Sequence, residues 1–168
     1  IASHYPTKGL PYLIGAAALL PDLHLAIIGD GPERGHLEQL IHDQGLTNRV
    51  TLLGALPQAA QYLRAFDLFV SSSVKEGLAY AILEAGLARL PVVVTDAGGN
   101  AEIVTDMITG RVVPIKSSPA LASAITETLT LPDHGASRGH ALYTVVTDEF
   151  SARRMHERTE HLYDQLLD

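Results

Sequence analysis

Five short apolar runs, each set off from the next by a stretch of helical pattern, constrain this chain more than any other feature. Residues 24–28, 50–53, 68–71, 91–95 and 111–113 read as strands. Helical patterns fill residues 9–20, 33–44, 58–66, 78–89, 100–106 and 119–131, with two more toward the C-terminus. Alternation with short connections predicts an α/β fold, a Rossmann-like parallel sheet with helices on both faces. The strands are continuous apolar runs, as buried parallel strands are. Ligands in such sheets bind beyond the carboxyl ends of the strands. Lys8, the turn from Gly29 to Gly31, the 54–57 loop and Glu76 all follow strand ends and are expected to converge on one cleft.

A chain of 168 residues suits one hydrophobic core, so residues 1–168 are expected to form a single domain. The 131–137 stretch is linker-like but too short to separate domains. A net charge of −7 without a Lys/Arg cluster argues against nucleic acid as a partner. The absence of cysteine fits a reducing compartment, and cytoplasmic placement is expected. No apolar run reaches the roughly 18 residues of a membrane span. The first residue is Ile1 rather than Met, and a piece of a longer protein is expected.

The acid at position 84 carries the functional argument. It sits inside an almost wholly apolar stretch, Leu78-Ala-Tyr-Ala-Ile-Leu-Glu-Ala-Gly-Leu-Ala88, whose composition predicts a buried helix. A carboxylate there must pair with protein or meet a ligand, because isolated burial costs several kcal/mol. Glu76 lies eight residues earlier, and between the two acids comes the expected helix start at Leu78, Ala79 and Tyr80, just after Gly77. Free amides and the positive dipole end make such a start an anion site. Carboxylate, anion site and carboxylate in that order match the sugar hydroxyls, diphosphate and ribose hydroxyls of a nucleotide sugar. The alternative is that Glu76 complements the helix dipole and Glu84 pairs with Arg64 or Arg89.

Other patterns are weaker. Gly29-Asp-Gly31-Pro-Glu-Arg-Gly35 is near a dinucleotide fingerprint but follows the second strand, and Gly35 arrives one residue late. Gly135-Ala-Ser137-Arg-Gly139 matches a hydrolase elbow without the strand that chemistry needs. The eight His residues have no metal-ligand spacing and are expected at the solvated surface; no metal and no cofactor are expected. Ser71, Ser72 and Ser73 read as a polar strand end, and Glu102 as a first-turn helix acid.

Glu76-x7-Glu84, followed by Leu90-Pro-Val-Val-Val-Thr-Asp-Ala-Gly-Gly-Asn-Ala-Glu102-Ile-Val, resembles the donor domain of GT-B-fold retaining glycosyltransferases. Lys8-Gly9, Gly29-Asp-Gly31-Pro32, Leu53-Gly54, Phe66-Asp67 through Ser73, and Thr109-Gly110 through Pro114 agree in the same order. The resemblance implies the C-terminal half of a GT-B fold, partnered by an absent N-terminal acceptor domain. It implies transfer of a sugar, with retention, from a UDP- or GDP-type nucleotide sugar, and inactivity of this half alone. Glu76 would hold the transferred sugar as the catalytic-centre acid and Glu84 the ribose. Lys8 and the amides from Leu78 to Tyr80 would hold the diphosphate, with Gly29, Gly31 and Gly77 shaping the donor site. It also implies bacterial polysaccharide biosynthesis, a membrane-peripheral place for the full-length protein, and a last helix that packs back on the first domain. The apolar face of 150–167, formed by Phe150, Met155, Thr159, Leu162, Tyr163 and Leu166, is the surface expected to do so. Two departures stand out: Ser3 and His4 occupy the region where many relatives carry an Arg, and Arg89 stands where relatives usually have Gly. A same-fold nucleotide-sugar epimerase half and a non-catalytic binding domain remain alternatives.

Overall fold

The computed structural model describes residues 1–167. Its strands are β1 (Leu25–Ile28), β2 (Val50–Gly54), β3 (Phe69–Ser71), β4 (Val92–Thr95) and β5 (Arg111–Val113). The helices are α1 (Leu10–Ala18), α2 (Arg34–Asp43), α3 (Tyr80–Leu87), α4 (Asn100–Ile103), α5 (Ser118–Thr130), α6 (Ala136–Glu149) and α7 (Ala152–Leu167). Every strand pairing is parallel: β1 with β2, and β3 with β4 with β5, Val93 standing opposite both Val70 and Arg111.

The two-faced burial expected of the sheet is visible within β4. All four of its residues are buried. Val93 joins a core with Leu13, Ile14, Leu121 and Ile125 of α1 and α5. Val92 and Val94 join the opposite core with Ile82, Ala85, Ile103 and Leu142 of α3, α4 and α6. Successive side chains point to opposite faces, so helices on both sides make a continuous apolar run the stable choice. Each buried Val contributes roughly 1.5–3 kcal/mol over leaving it exposed.

Four expectations need correction. Residues 58–66 form a 3-10 turn, Ala59–Ala65, entered through Gln58 at φ 50°. The 100–106 helix stops at Ile103, because Val104 is extended and the Thr109 hydroxyl accepts the Thr105 amide at 2.8 Å. The helix expected from Leu78 starts at Tyr80, after Ala79 at φ −82° and ψ 88°. Finally, the strands do not form one continuous ladder: the β1–β2 and β3–β4–β5 groups are not hydrogen-bonded to each other.

At the C-terminus, Phe150 is half-buried against the second core, while Met155, Leu162, Tyr163 and Leu166 on α7 are exposed. Among the described residues no helix is long and apolar enough to cross a membrane. Arg89 takes up the left-handed conformation that follows α3, at φ 61°, and its guanidinium lies 4.4 Å from the centre of the Tyr143 ring.

The elbow-like stretch is a helix start. Gly135 precedes α6, and a Cβ on Gly139 would lie 2.4 Å from the Arg89 carbonyl oxygen. Asp133 caps this start by accepting the amides of Gly135 at 3.0 Å and Ser137 at 2.9 Å. Bonds from Ser137, side chain and backbone, and from the Gly135 amide lower its pKa from 3.8 to about 2. A depressed acid contributes stability above its unfolded value, and that stability is lost as pH falls through the folded value. Acid denaturation followed between pH 4 and 2 should therefore be shallower in Asp133→Asn than in the parent; parallel curves would remove Asp133 as the cause.

Candidate functional site

The carboxyl end of β3 continues into a loop that three other segments hold in place. The Val74 amide donates to the Thr7 carbonyl at 2.8 Å and the Ser72 hydroxyl to the Lys8 carbonyl at 2.9 Å. The Thr95 hydroxyl donates to the Ser73 carbonyl at 2.5 Å. The Gly99 amide donates to the Gly77 carbonyl at 3.2 Å, and Asn100 donates to the Thr95 carbonyl at 3.0 Å. Ser72 and Ser73 are buried by this packing, as a strand end rather than as nucleophiles.

The result is a cavity of about 290 Å³ at the carboxyl end of β3, lined among others by Ser3, Lys8, Glu76, Leu78, Tyr80 and Glu84. Six of the nine residues singled out from sequence line it: Lys8, Glu76, Leu78, Ala79, Tyr80 and Glu84. Gly77 lies between two lining residues. Gly29 and Gly31 lie outside. There the N-terminal segment presses on their backbone: a Cβ on Gly29 would meet the Ala2 carbonyl oxygen at 1.9 Å, and one on Gly31 the His4 backbone at 2.8 Å. Their role here is close approach, and the 54–57 loop is likewise absent from the lining.

The acids behave differently from each other. Lys8 Nζ donates to both carboxylate oxygens of Glu76 at 2.8 Å. The Glu76 side chain is only 10% exposed, so the pair is shielded from solvent on the acid side. The Glu84 carboxylate forms no hydrogen bond or ion pair among the described residues. Arg64 shares a second depression with it, and Arg89 is engaged by Tyr143. Of the two pairings considered for Glu84, neither forms. Beside it, the amides of Leu78, Ala79 and Ala81 have no backbone acceptor among the described residues, whereas Tyr80 bonds back to the Leu78 carbonyl at 3.2 Å. The amides left free are thus those of Leu78, Ala79 and Ala81, where the sequence reading has Leu78, Ala79 and Tyr80.

Sequence reasoning missed Ile1 and Ala2 in the lining and Thr95, Gly98 and Asn100 beneath it, while Ser3, noted as standing in place of an Arg, does line it. Only the Gly98-Gly99 pair gave a signal, a backbone that other segments approach closely. Among the described residues no cluster of His, Asp and Glu suits a metal ion.

His4 corrects the expectation that every His is solvated. It is fully buried, and neither ring nitrogen has a hydrogen-bond partner among the described residues. Burial lowers its pKa from 6.5, opposed by the charge of Asp30. The unfolded chain then binds the proton first, so stability is full above pH 6.5 and declines as pH falls toward the lowered folded value. His4→Leu should flatten melting temperature against pH below 6.5; an unchanged slope would assign the acid sensitivity elsewhere.

The arrangement is an α/β domain with a cavity at the carboxyl end of a parallel strand, and comparison with known proteins gives its family. The model of the family described as Glycosyl transferases group 1 matches residues 1–130, and the chain belongs to that family. The lipopolysaccharide core biosynthesis glycosyltransferase LpsE of Rhizobium meliloti (strain 1021) is 37% identical over 136 residues, 79% of this chain and 40% of that protein. HepE of Anabaena, solved in complex with UDP, superimposes with a TM-score of 0.92 at 27% identity, over 98% of this chain and 47% of that one. The C-terminal domain of the group 1 glycosyl transferase LpcC of Francisella tularensis gives 0.81 at 27% identity, over 90% of this chain and 84% of that one. The chain thus spans less than half of LpsE and HepE. The GT-B resemblance drawn from the motifs holds for family and fold.

Proposed function

We propose that this chain is the donor-binding half of a two-domain retaining glycosyltransferase that uses a UDP- or GDP-type nucleotide sugar. One observation carries the reading: an acid without a protein partner, Glu84, lines the same cavity as Lys8 and the free amides before α3. Ribose hydroxyls donate to Glu84, the diphosphate accepts from Lys8 and the amides of Leu78, Ala79 and Ala81, and the transferred sugar reaches Glu76. Charge developing on the departing diphosphate is stabilised by donors already in place. Complexes of HepE with UDP and with UDP-glucose support the ligand class, and the likeness to the LpcC C-terminal domain supports the place in the longer chain. Acceptor and sugar would be chosen with the other domain, and the isolated chain should neither transfer sugar nor hydrolyse its donor at a useful rate.

The Lys8–Glu76 pair gives the test a sign. Glu76 offsets the Lys8 charge that a diphosphate would use, so Glu76→Ala should leave nucleoside diphosphate affinity unchanged or up to about tenfold tighter. The same change should weaken sugar nucleotide binding about tenfold, the size of one charge-assisted hydrogen bond. Glu84→Ala should weaken both ligands alike. Backbone amide shifts in titrations with UDP, GDP and their sugars read each constant; equal losses for both ligands in both variants would refute the division of roles.

A further inference from the structure

We propose that Arg64 and Arg89 form a second anion site, for a phosphomonoester, at the carboxyl end of α3 and apart from the cavity beyond β3. The chain has nine arginines. Seven have oxygen partners among the described residues. Arg49 donates to the carbonyls of Ala17, Leu20 and Leu23. Arg34, Arg111, Arg138, Arg153, Arg154 and Arg158 pair with carboxylates. Arg64 and Arg89 are the two left without an oxygen partner among the described residues. One stands on the 3-10 turn Ala59–Ala65 and the other just after α3, yet both line a single depression of about 340 Å³. No Asp or Glu lines it. Like charges that share a concavity repel each other, and a bound anion reverses the sign of that interaction.

The backbone of Arg89 argues for a use of its side chain. Its φ of 61° is left-handed, a conformation that disfavours any residue with a Cβ and that glycine adopts freely. Strain of this kind persists where the surrounding structure holds it, and it clusters at ligand sites. The Arg89 amide donates to the Gly86 carbonyl at 2.9 Å. Gly86 in turn lets α3 lie close on α6, since a Cβ there would meet Val146 Cγ2 at 2.8 Å. This packing sets the Tyr143 ring of α6 against the guanidinium, 4.4 Å from its centre. A guanidinium held through its face keeps its N–H donors in the plane, free for an oxyanion. Arg64 brings a second fork from another element.

Two guanidiniums suit a phosphomonoester, with a charge of about −2 and oxygens on three sides, better than a carboxylate. Leu87, 51% exposed, Ala88 and Tyr143 complete the lining, so an apolar body attached to the phosphate has a surface to meet. A neighbouring depression of about 390 Å³ shares Arg64, Leu87 and Ala88 and extends to Gln61 and Glu84. That depression has only Glu84 in common with the cavity beyond β3, and the Arg64–Arg89 depression shares no residue with that cavity. The second site therefore stands whatever ligand the cavity takes.

Titration with inorganic phosphate and with phenyl phosphate tests this, at ionic strength held constant with chloride. NMR of the arginine Nε–H groups and the backbone amides is the readout. Saturable shifts are expected at Arg64, Ala88 and Arg89. Arg64→Gln and Arg89→Gly should each weaken phenyl phosphate binding at least about tenfold, the size of one charge-assisted hydrogen bond. Arg89→Gly places the residue that favours left-handed backbone at a left-handed position, and Arg64→Gln alters an exposed side chain, so both variants should stay folded. Shifts that chloride alone reproduces would overturn the proposal. So would unchanged affinity in either variant, or shifts confined to the amides of residues 78–81, which would place the phosphate in the other cavity. Sedimentation with phosphatidylcholine vesicles, with and without phosphatidic acid, identifies the source of the phosphate. Pelleting that needs phosphatidic acid and is lost in Arg89→Gly marks a lipid headgroup; phenyl phosphate binding without pelleting marks a soluble phosphoester.

Discussion

Gly98→Ala should lower the melting temperature by about 5–15 °C and weaken nucleotide binding with it. Gly98 has φ 55°, and a Cβ there would lie 1.9 Å from the Glu76 carbonyl oxygen and 2.9 Å from its carbon. Left-handed backbone costs a residue with a Cβ about 1–2 kcal/mol. The overlap is with backbone, so the loop itself must move, at about 1–3 kcal/mol more. For a domain of this size each kcal/mol corresponds to about 2–4 °C. Movement of the 72–77 loop carries Glu76 away from Lys8 and shifts the amides that follow Gly77. Gly35→Ala is the control: it sits in α2 with nothing within 4 Å of a Cβ, and should stabilise by about 0.5–1 kcal/mol. Thermal denaturation with UDP titration compares the two. A Gly98→Ala variant melting within 2 °C of the parent would show that this glycine does not hold the loop.

The fold was legible because its signal is local and repeated. Each of the five strands lies where an apolar run lies, and β4 carries the signature of burial on both faces in Val92, Val93 and Val94. Its ends were less legible. Leu78 and Ala79 have helical propensity, but the Gly77 carbonyl is held by Gly99, which delays the helix to Tyr80. Glu76 was legible as a charge beside a strand end and Glu84 as one inside an apolar run, whereas Lys8, expected after a strand, closes the 3-10 turn Pro6–Lys8, with no strand before it among the described residues. The Lys8–Glu76 pair was not legible, since 68 residues separate the partners and only the packing of the 7–9 segment on the 72–77 loop brings them together. His4 was illegible for the same reason: its burial depends on the 29–31 turn closing over it.

Lys8→Ala should reduce nucleoside diphosphate affinity by about ten- to a hundredfold and also destabilise the free domain. A lysine that served only a diphosphate would leave the melting temperature of the free domain almost untouched, which is what its position beside Gly9 suggests from sequence. The structure adds a second duty. Without Lys8 the Glu76 carboxylate, 10% exposed, has no ion-pair partner among the described residues. An unpaired acid at such a site costs about 1–3 kcal/mol, partly offset by the water that enters where Nζ was. Lys8→Ala/Glu76→Gln removes the stranded charge and should recover most of the stability. It cannot recover the diphosphate affinity, because the cation is still absent and the amides before α3 remain as the sole donors. Melting temperature and UDP affinity should therefore separate: stability returns in the double variant and binding does not. If both return together, the phosphate lies away from Lys8 and the lysine only supports the loop. If neither single nor double variant changes UDP affinity, the diphosphate is held by the helix start alone.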